Sequence, residues 1–313
     1  MSVIKAVDVC YVRFAVPDID LQRAFLKDFG LIETGESEGA IYFRAAGPAP
    51  YCYVLTQGEP AFLGFGVWAR DMEDLAAIAS HDGAEIQASA APGGGSFVRL
   101  VDPDGVEVDV VAGQDMAEPL AAEDPLPWNE GSKRLSRIST FRRSSTRPST
   151  VQRLGHVVIN VSDFRTSEKW YKDRFGVLTS DEVQPAPGVA IGAFMRADRG
   201  EEPTDHHMIV CFQTGGPAGF MHAAFEAAGV DDLMVGHDYL ASKGHKANWG
   251  IGRHILGSQV FDYWSDPYGH EVEHWTDGDQ LKASDGSGAA GMDVVLGVQW
   301  GMKMPNPPGA PGE

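Results

Sequence analysis

His156, His222 and Glu273 are residues of metal-binding type, each set in a short apolar run of the second half of the chain. His156 stands in Leu154-Gly155-His156-Val157-Val158-Ile159 and His222 in Met221-His222-Ala223-Ala224-Phe225. Glu273 lies in Glu271-Val272-Glu273-His274-Trp275, just past an Asp266-Pro267-Tyr268-Gly269 turn. Two imidazoles and a carboxylate bind one face of a divalent metal and leave positions free for substrate and oxygen, which is the donor set of non-haem Fe(II) oxygenases. A lone histidine on a strand is ordinarily a packed or surface residue. Three donors of the right type at three landmarks of an internal repeat point instead to a site. Glu271 and Glu273 are two apart on a strand and share a face, so spacing alone does not choose between them. His270, Val272 and His274 face the other way, and both of these histidines are expected on the exterior. His237, inside a helix, and His245, just past it, are expected to be solvated.

The elements that must position these residues recur along the chain. Val9-Cys10-Tyr11-Val12-Arg13-Phe14-Ala15-Val16-Pro17-Asp18 matches Leu154-Gly155-His156-Val157-Val158-Ile159-Asn160-Val161-Ser162-Asp163 in pattern. Each run reads as a strand ending at a helix cap, followed by a helix closed by Gly30 or Gly176. Further on, Asp102-Pro103-Asp104-Gly105-Val106-Glu107-Val108-Asp109 matches Asp266-Pro267-Tyr268-Gly269-His270-Glu271-Val272-Glu273, and 71–83 matches 231–244 as a second helix. The chain is therefore expected to hold four units of one strand, one helix and further strands, an α+β architecture. The ligand types do not repeat with the scaffold: Tyr11 stands opposite His156, Asp109 opposite Glu273, and Gly64 near the place of His222. Nine of the ten histidines lie at or after position 156, so the first half reads as a copy without a metal site.

Composition bounds the rest. A chain of 313 residues, 43% hydrophobic and 22% charged, is of ordinary globular make-up and long enough for two cores. Its net charge of -19 argues against nucleic acid as a partner, which needs a basic patch. The nearest candidate, Lys133, Arg134, Arg137, Arg142, Arg143 and Arg147, lies in a Ser-rich linker. Three cysteines without paired spacing favour a reducing compartment, and no apolar run approaches membrane-spanning length, so a cytoplasmic protein is expected. The domain boundaries are expected as 1–115 for a first domain without metal, 116–150 for a linker, 151–282 for a catalytic domain and 283–313 for a tail. The end of that tail, from Lys303, is rich in Pro and Gly and is expected to be extended and peripheral.

These residues resemble the vicinal oxygen chelate superfamily and, within it, the type I extradiol catechol dioxygenases. The motifs Leu154-Gly155-His156, Phe220-Met221-His222 and Glu271-Val272-Glu273 fit that family's ligand positions. The resemblance covers nearly the whole chain and implies four βαβββ units in two barrel-like domains. It further implies Fe(II), or Mn(II), held in the second domain by His156, His222 and Glu273, with O2 as co-substrate. His254 and Tyr263, 19 and 10 residues before Glu273, resemble the family's substrate-contacting pair, and His207 its acid/base histidine. Slippage by one residue would give that role to His206. Trp249, Phe220 and Trp264 are candidate walls of an aromatic pocket.

The implied reaction inserts both atoms of O2 into a small aromatic diol, a substituted catechol or trihydroxylated ring, and opens the ring beside the hydroxyls. Relatives of this kind often form homo-oligomers. Two other readings compete: another metalloenzyme of the superfamily, like a glyoxalase or 4-hydroxyphenylpyruvate dioxygenase, and a non-catalytic protein that sequesters a small aromatic compound.

Overall fold

The protein is described here from a computed structural model covering residues 2–120 and 126–304. Four successive units fold alike. The first runs β1 (Val9–Val16), α1 (Ile19–Phe29), β2 (Ile32–Ser37), β3 (Ala40–Arg44) and β4 (Tyr53–Gln57). The second runs β5 (Ala61–Trp68), α2 (Met72–Asp82), β6 (Ile86–Ala88), β7 (Ser96–Val101) and β8 (Glu107–Ala112). After the linker come β9 (Val151–Asn160), α3 (Phe164–Phe175), β10 (Leu178–Val183) and β11 (Gly192–Arg196), with a two-residue β12 (Thr204–Asp205) ahead of β13 (Ile209–Phe212). The fourth unit is β14 (Gly219–Ala227), α4 (Val230–Ser242), β15 (Lys246–His254), β16 (Val260–Ser265) and β17 (Glu271–Thr276). Asp18, Asp71 and Asp163 cap their helices through side-chain oxygens, and Gly30, Gly83 and Gly176 close them in the left-handed conformation.

The first two units make one sheet in the order β2-β3-β4-β1-β5-β8-β7-β6. The last two repeat that order as β10-β11-β13-β9-β14-β17-β16-β15 and extend it at both ends. The extensions come from the expected tail. Short strands β18 (Gln280–Leu281), β19 (Gly288–Ala290) and β20 (Val298–Gly301) follow β17, with a single helical turn α5 (Met292–Val295) between the last two. β19 pairs with β10 and β20 with β15, so this segment covers both edges of the sheet. Open edges present unpaired backbone groups, and pairing them explains why the segment is not a loose tail. The expectation for its far end falls on residues outside those described, apart from Lys303 and Met304. Residues 113–120 and 126–150 form neither strand nor α-helix and contain one 3-10 turn at Gly131–Lys133.

The two halves share a continuous core, and this changes the histidines expected on the exterior or in solvent. The outer face of the second sheet packs against the first half. There His274 is fully buried, stacks on Phe29 at 3.8 Å between ring centroids, and donates from Nε2 to the Phe29 carbonyl at 2.8 Å. His270 pairs with Asp266 at 2.8 Å, His245 with Asp28 at 2.9 Å, and His237 with Asp262 at 3.0 Å, all half-buried or deeper. An exterior strand face becomes an interior when a second sheet-and-helix layer lies on it, which strand periodicity alone does not reveal.

Candidate metal centre

Register brings the three candidate ligands together. His156 on β9 lies opposite Ala224 on β14, Ala224 opposite Glu273 on β17, and Glu273 opposite Tyr263 on β16. Laterally paired residues project to the same face, so this row lines one side of the curled sheet. The small Ala224 leaves room between the imidazole and the carboxylate. His222, two residues before Ala224, shares its face and pairs laterally with Glu271. One donor atom from each of His156, His222 and Glu273 lies within 4.8 Å of the others. Both histidine Nε2 atoms are 3.3 Å from Glu273 Oε2.

Electrostatics favour a cation in this cluster. Glu273 is 0% exposed, yet neither of its carboxylate oxygens accepts a hydrogen bond, and His222 Nε2 is also unpartnered. A buried ionised carboxylate without partners is strongly disfavoured, and a divalent metal bound by deprotonated donors relieves that cost. Burial pushes the Glu273 carboxyl up, but the flanking imidazoles of His156 and His222 outweigh burial and hold it well below the usual range. Burial keeps His156 below its ordinary value despite the carboxylate beside it. The donor set is thus a neutral imidazole and a carboxylate ready to bind, and the residues fit a mononuclear divalent metal. Glu271 stands apart: its Oε2 accepts from Asn248 at 2.7 Å, and its Oε1 is 3.9 Å from His222 Nδ1.

The corresponding row of the first half explains why no such cluster stands there among the described residues. Tyr11, Gly66, Asp109 and Arg99 stand in the registers of His156, Ala224, Glu273 and Tyr263. Asp109 is saturated by protein groups, with the Tyr11 hydroxyl at 2.8 Å, Arg99 at 2.7 Å and Arg13 at 3.3 Å. At the His222 register stands Gly64 with φ +134°, where a Cβ would lie 2.1 Å from the Glu107 carbonyl. A ligand side chain does not fit there.

Gly155, the residue before His156, has a packing role. A Cβ at this position would meet the Trp275 ring at 2.5 Å, and that indole is 1% exposed and fixed in the core. Gly155→Ala is therefore expected to destabilise the protein by about 1–3 kcal/mol through overpacking. Denaturant unfolding of the variant against the parent checks this, and an unchanged midpoint would refute the packing role.

A cavity of about 420 Å³ opens onto the cluster and is lined by His156, His222, His207, His254, Tyr263 and Trp249, among others. His254 Nε2 lies 3.1 Å from the Tyr263 hydroxyl and 3.9 Å from Glu273 Oε1. Burial lowers His254 to about 4 and raises Tyr263 well above its ordinary value, so both are neutral near pH 7. His207 faces the cavity with its ring 4.1 Å from that of His156, and burial with the surrounding imidazoles holds it well below its ordinary value. His206 does not line the cavity. It lies behind His207, with the two Nδ1 atoms 3.0 Å apart, and its Nε2 is 2.8 Å from Asp181.

Two aromatic candidates are misplaced by the sequence reading. Phe220 lies outside the cavity, packed between Phe14, Phe62 and His270 at the junction of the halves. Trp264 is core, its indole N–H donating to Asp262 at 2.6 Å. Trp264 is turned to the opposite face by strand alternation from Tyr263, and Phe220 is set off the ligand face by the register irregularity between Phe220 and His222. Conversely, Phe194, Phe212, Asn248 and Gln259 line the cavity and were not anticipated, nor were Met292, Val295, Leu296 and Met304 from the expected tail. The apolar residues clustered between Met292 and Leu296 were the signal available for the last group.

The comparisons with known proteins agree with this architecture. The chain is 28% identical over 295 residues to metapyrocatechase 2 of Cupriavidus necator, covering 93% of this chain and 87% of that protein. It is also 28% identical over 139 residues to the iron-dependent extradiol dioxygenase of Rhodococcus jostii, covering 42% and 45%. Among solved structures, the Mn(II)-bound glyoxalase from Novosphingobium aromaticivorans superposes with a TM-score of 0.76 at 24% identity, covering 97% of each chain. A variant of homoprotocatechuate 2,3-dioxygenase from B. fuscum gives 0.75 at 19% identity, covering 93% of this chain and 77% of that one. These structural likenesses concern the fold. No described helix is long and apolar enough to cross a membrane. The sequence model of the Glyoxalase/Bleomycin resistance protein/Dioxygenase superfamily matches residues 153–274, a span that holds all three clustered donors, so this part of the chain is similar to that superfamily.

Proposed function

We propose that this chain is an extradiol ring-cleaving dioxygenase that acts on a catechol with O2, using Fe(II) held by His156, His222 and Glu273. The observation that carries this reading is the buried, unpartnered Glu273 carboxylate between two imidazoles, at the end of a cavity that also presents His207, His254 and Tyr263. Similarity to metapyrocatechase 2 over 93% of the chain supports the same activity. Mn(II) is compatible with the same donors. Three free, buried cysteines support a reducing, cytoplasmic setting.

When bound, the iron supplies an electron path between chelated catechol and O2. The chain's own residues provide the binding and the proton handling. Tyr263 and His254, neutral and linked to each other, orient a substrate oxygen through hydrogen bonds. His207 takes the proton of a substrate hydroxyl and later returns it. Asp181 positions that base indirectly. An ionised Asp181 accepts only, so His206 donates from Nε2 and accepts at Nδ1. His207 then donates from Nδ1 to His206, which leaves its Nε2 free as the base.

Anaerobic loading with Fe(II), followed by catechol and air, should give O2 uptake one-for-one with a yellow ring-opened product and no need of a 2-oxo acid. Metal-dependent conversion without O2 uptake, or cleavage between the two hydroxyl-bearing carbons, would sink the proposal. Tyr263→Phe removes one hydrogen bond to a charged oxygen, a contribution of roughly 1.5–3 kcal/mol. Turnover should fall about ten- to a hundredfold with the metal retained. Metal loss in that variant would instead make Tyr263 part of the ligand framework.

A further inference from the structure

The wall of the cavity away from the metal cluster is mostly apolar, with Thr214, Asn248 and Gln259 as its uncharged polar members, and part of it comes from the segment that follows the fourth unit. Met292, Val295, Leu296 and Met304 reach the same cavity as His156 and His222. This segment is anchored on both sides of the site. β19 pairs with β10, β20 pairs with β15, and Trp249 in the cavity wall donates from its indole nitrogen to the Met302 carbonyl at 2.9 Å. Among the described residues no lysine or arginine lines the cavity. Residues 121–125 and 305–313 contain neither type in their sequence. Among the described residues the one Asp, Glu, Lys or Arg that lines the cavity outside the metal cluster is Glu271, whose carboxylate would repel an anion.

Size points the same way. An apolar cavity of roughly 150 Å³ holds a benzene ring, whereas this cavity measures about 420 Å³. A catechol ring chelated at the metal end leaves space against the apolar wall. Filling it with a carboxylate would bury a charge without a cationic partner, while filling it with methylenes removes apolar surface from water on both sides.

We propose that the substrate is a catechol carrying an uncharged alkyl substituent, and that Met292, Val295, Leu296 and Met304 are its specificity-determining wall. This rests on the catechol-cleaving reading of the metal end and adds the class of substituent that the other end accepts. The physical consequence is a selectivity that grows with chain length and discriminates against acidic side chains.

Calorimetric titration of the Fe(II)-loaded protein under anaerobic conditions tests the proposal separately from turnover. The ligands are catechol, its methyl, ethyl and propyl derivatives substituted para to one hydroxyl, and 3,4-dihydroxyphenylacetate. Kd is expected to fall about fourfold per added methylene. The acid should bind on the order of a hundredfold more weakly than the propyl compound, because its carboxylate finds no cation. Leu296→Arg should reverse that order by placing a guanidinium in the wall, and if this variant does not fold the parent series decides alone. A Kd independent of chain length, or an acid that binds the parent protein as tightly as the propyl compound, would overturn the proposal. Absence of O2 uptake with every catechol would count against the dioxygenase reading instead, whatever the ranking of Kd values.

Discussion

Glu273→Ala is expected to yield a folded protein that retains no metal and has no measurable dioxygenase activity. Glu273 is fully buried, and in the metal-free parent its carboxylate is flanked by the imidazoles of His156 and His222, each with Nε2 3.3 Å from Oε2. Removing that carboxylate takes away both its interaction with the two imidazoles and the anionic donor that a divalent ion requires. The metal-free variant should still unfold in one cooperative transition, at a temperature no higher than that of the metal-free parent, because the carboxylate's interaction with the two imidazoles is lost. Added Fe(II) should raise the midpoint of the parent, as any ligand binding the native state does, and leave the variant unmoved. Elemental analysis should find one metal per chain in the parent, because the equivalent position in the first half is filled by Tyr11, Arg13 and Arg99 around Asp109. Two metals per chain, or full activity in Glu273→Ala, would refute the assignment.

His207→Gln is expected to keep the metal and slow turnover by roughly 10²–10⁴-fold, the range for loss of a positioned general acid–base group. Glutamine preserves polarity and approximate size but does not exchange a proton near neutral pH. Catechol binding, read anaerobically, should change far less than turnover. The geometry also ranks the neighbours. His206 touches His207 and Asp181 rather than the cavity, so His206→Gln and Asp181→Asn should act through the orientation of the His207 ring. Both are expected to be milder than His207→Gln, and the slowed step should retain a proton-transfer signature in its solvent isotope effect. A His206 variant slower than the His207 variant would transfer the acid/base role to His206 and refute the arrangement proposed above.

The limits of sequence reading are visible in particular residues. The choice between Glu271 and Glu273, open on spacing alone, turns on lateral register: Glu273 pairs with Ala224 beside His156, while Glu271 pairs with His222 and is held by Asn248. His206 and His207 are adjacent in the chain and chemically identical, yet only one faces the cavity, because their side chains diverge from the same backbone. Phe220 and Trp264 have the composition of pocket walls, but strand parity turns Trp264 to the opposite face, and the register irregularity between Phe220 and His222 sets Phe220 off the ligand face.

What the sequence by itself determined is the local grammar. The caps at Asp18, Asp71 and Asp163, the closing glycines, the repeat of the Asp-Pro-x-Gly turns and the donor types at three landmarks all act over a few residues, and they stand in the structure as written. Only the tertiary structure decided what lies behind each strand face. Burial of His274 against Phe29 and the pairing of His245 with Asp28 depend on contacts across more than two hundred residues, and the covering of the two sheet edges by residues after 287 depends on pairings across more than a hundred residues at one edge and fewer than fifty at the other. Periodicity records that a face is apolar or polar; it does not record which surface arrives to cover it, because that is set by the summed packing of the whole chain.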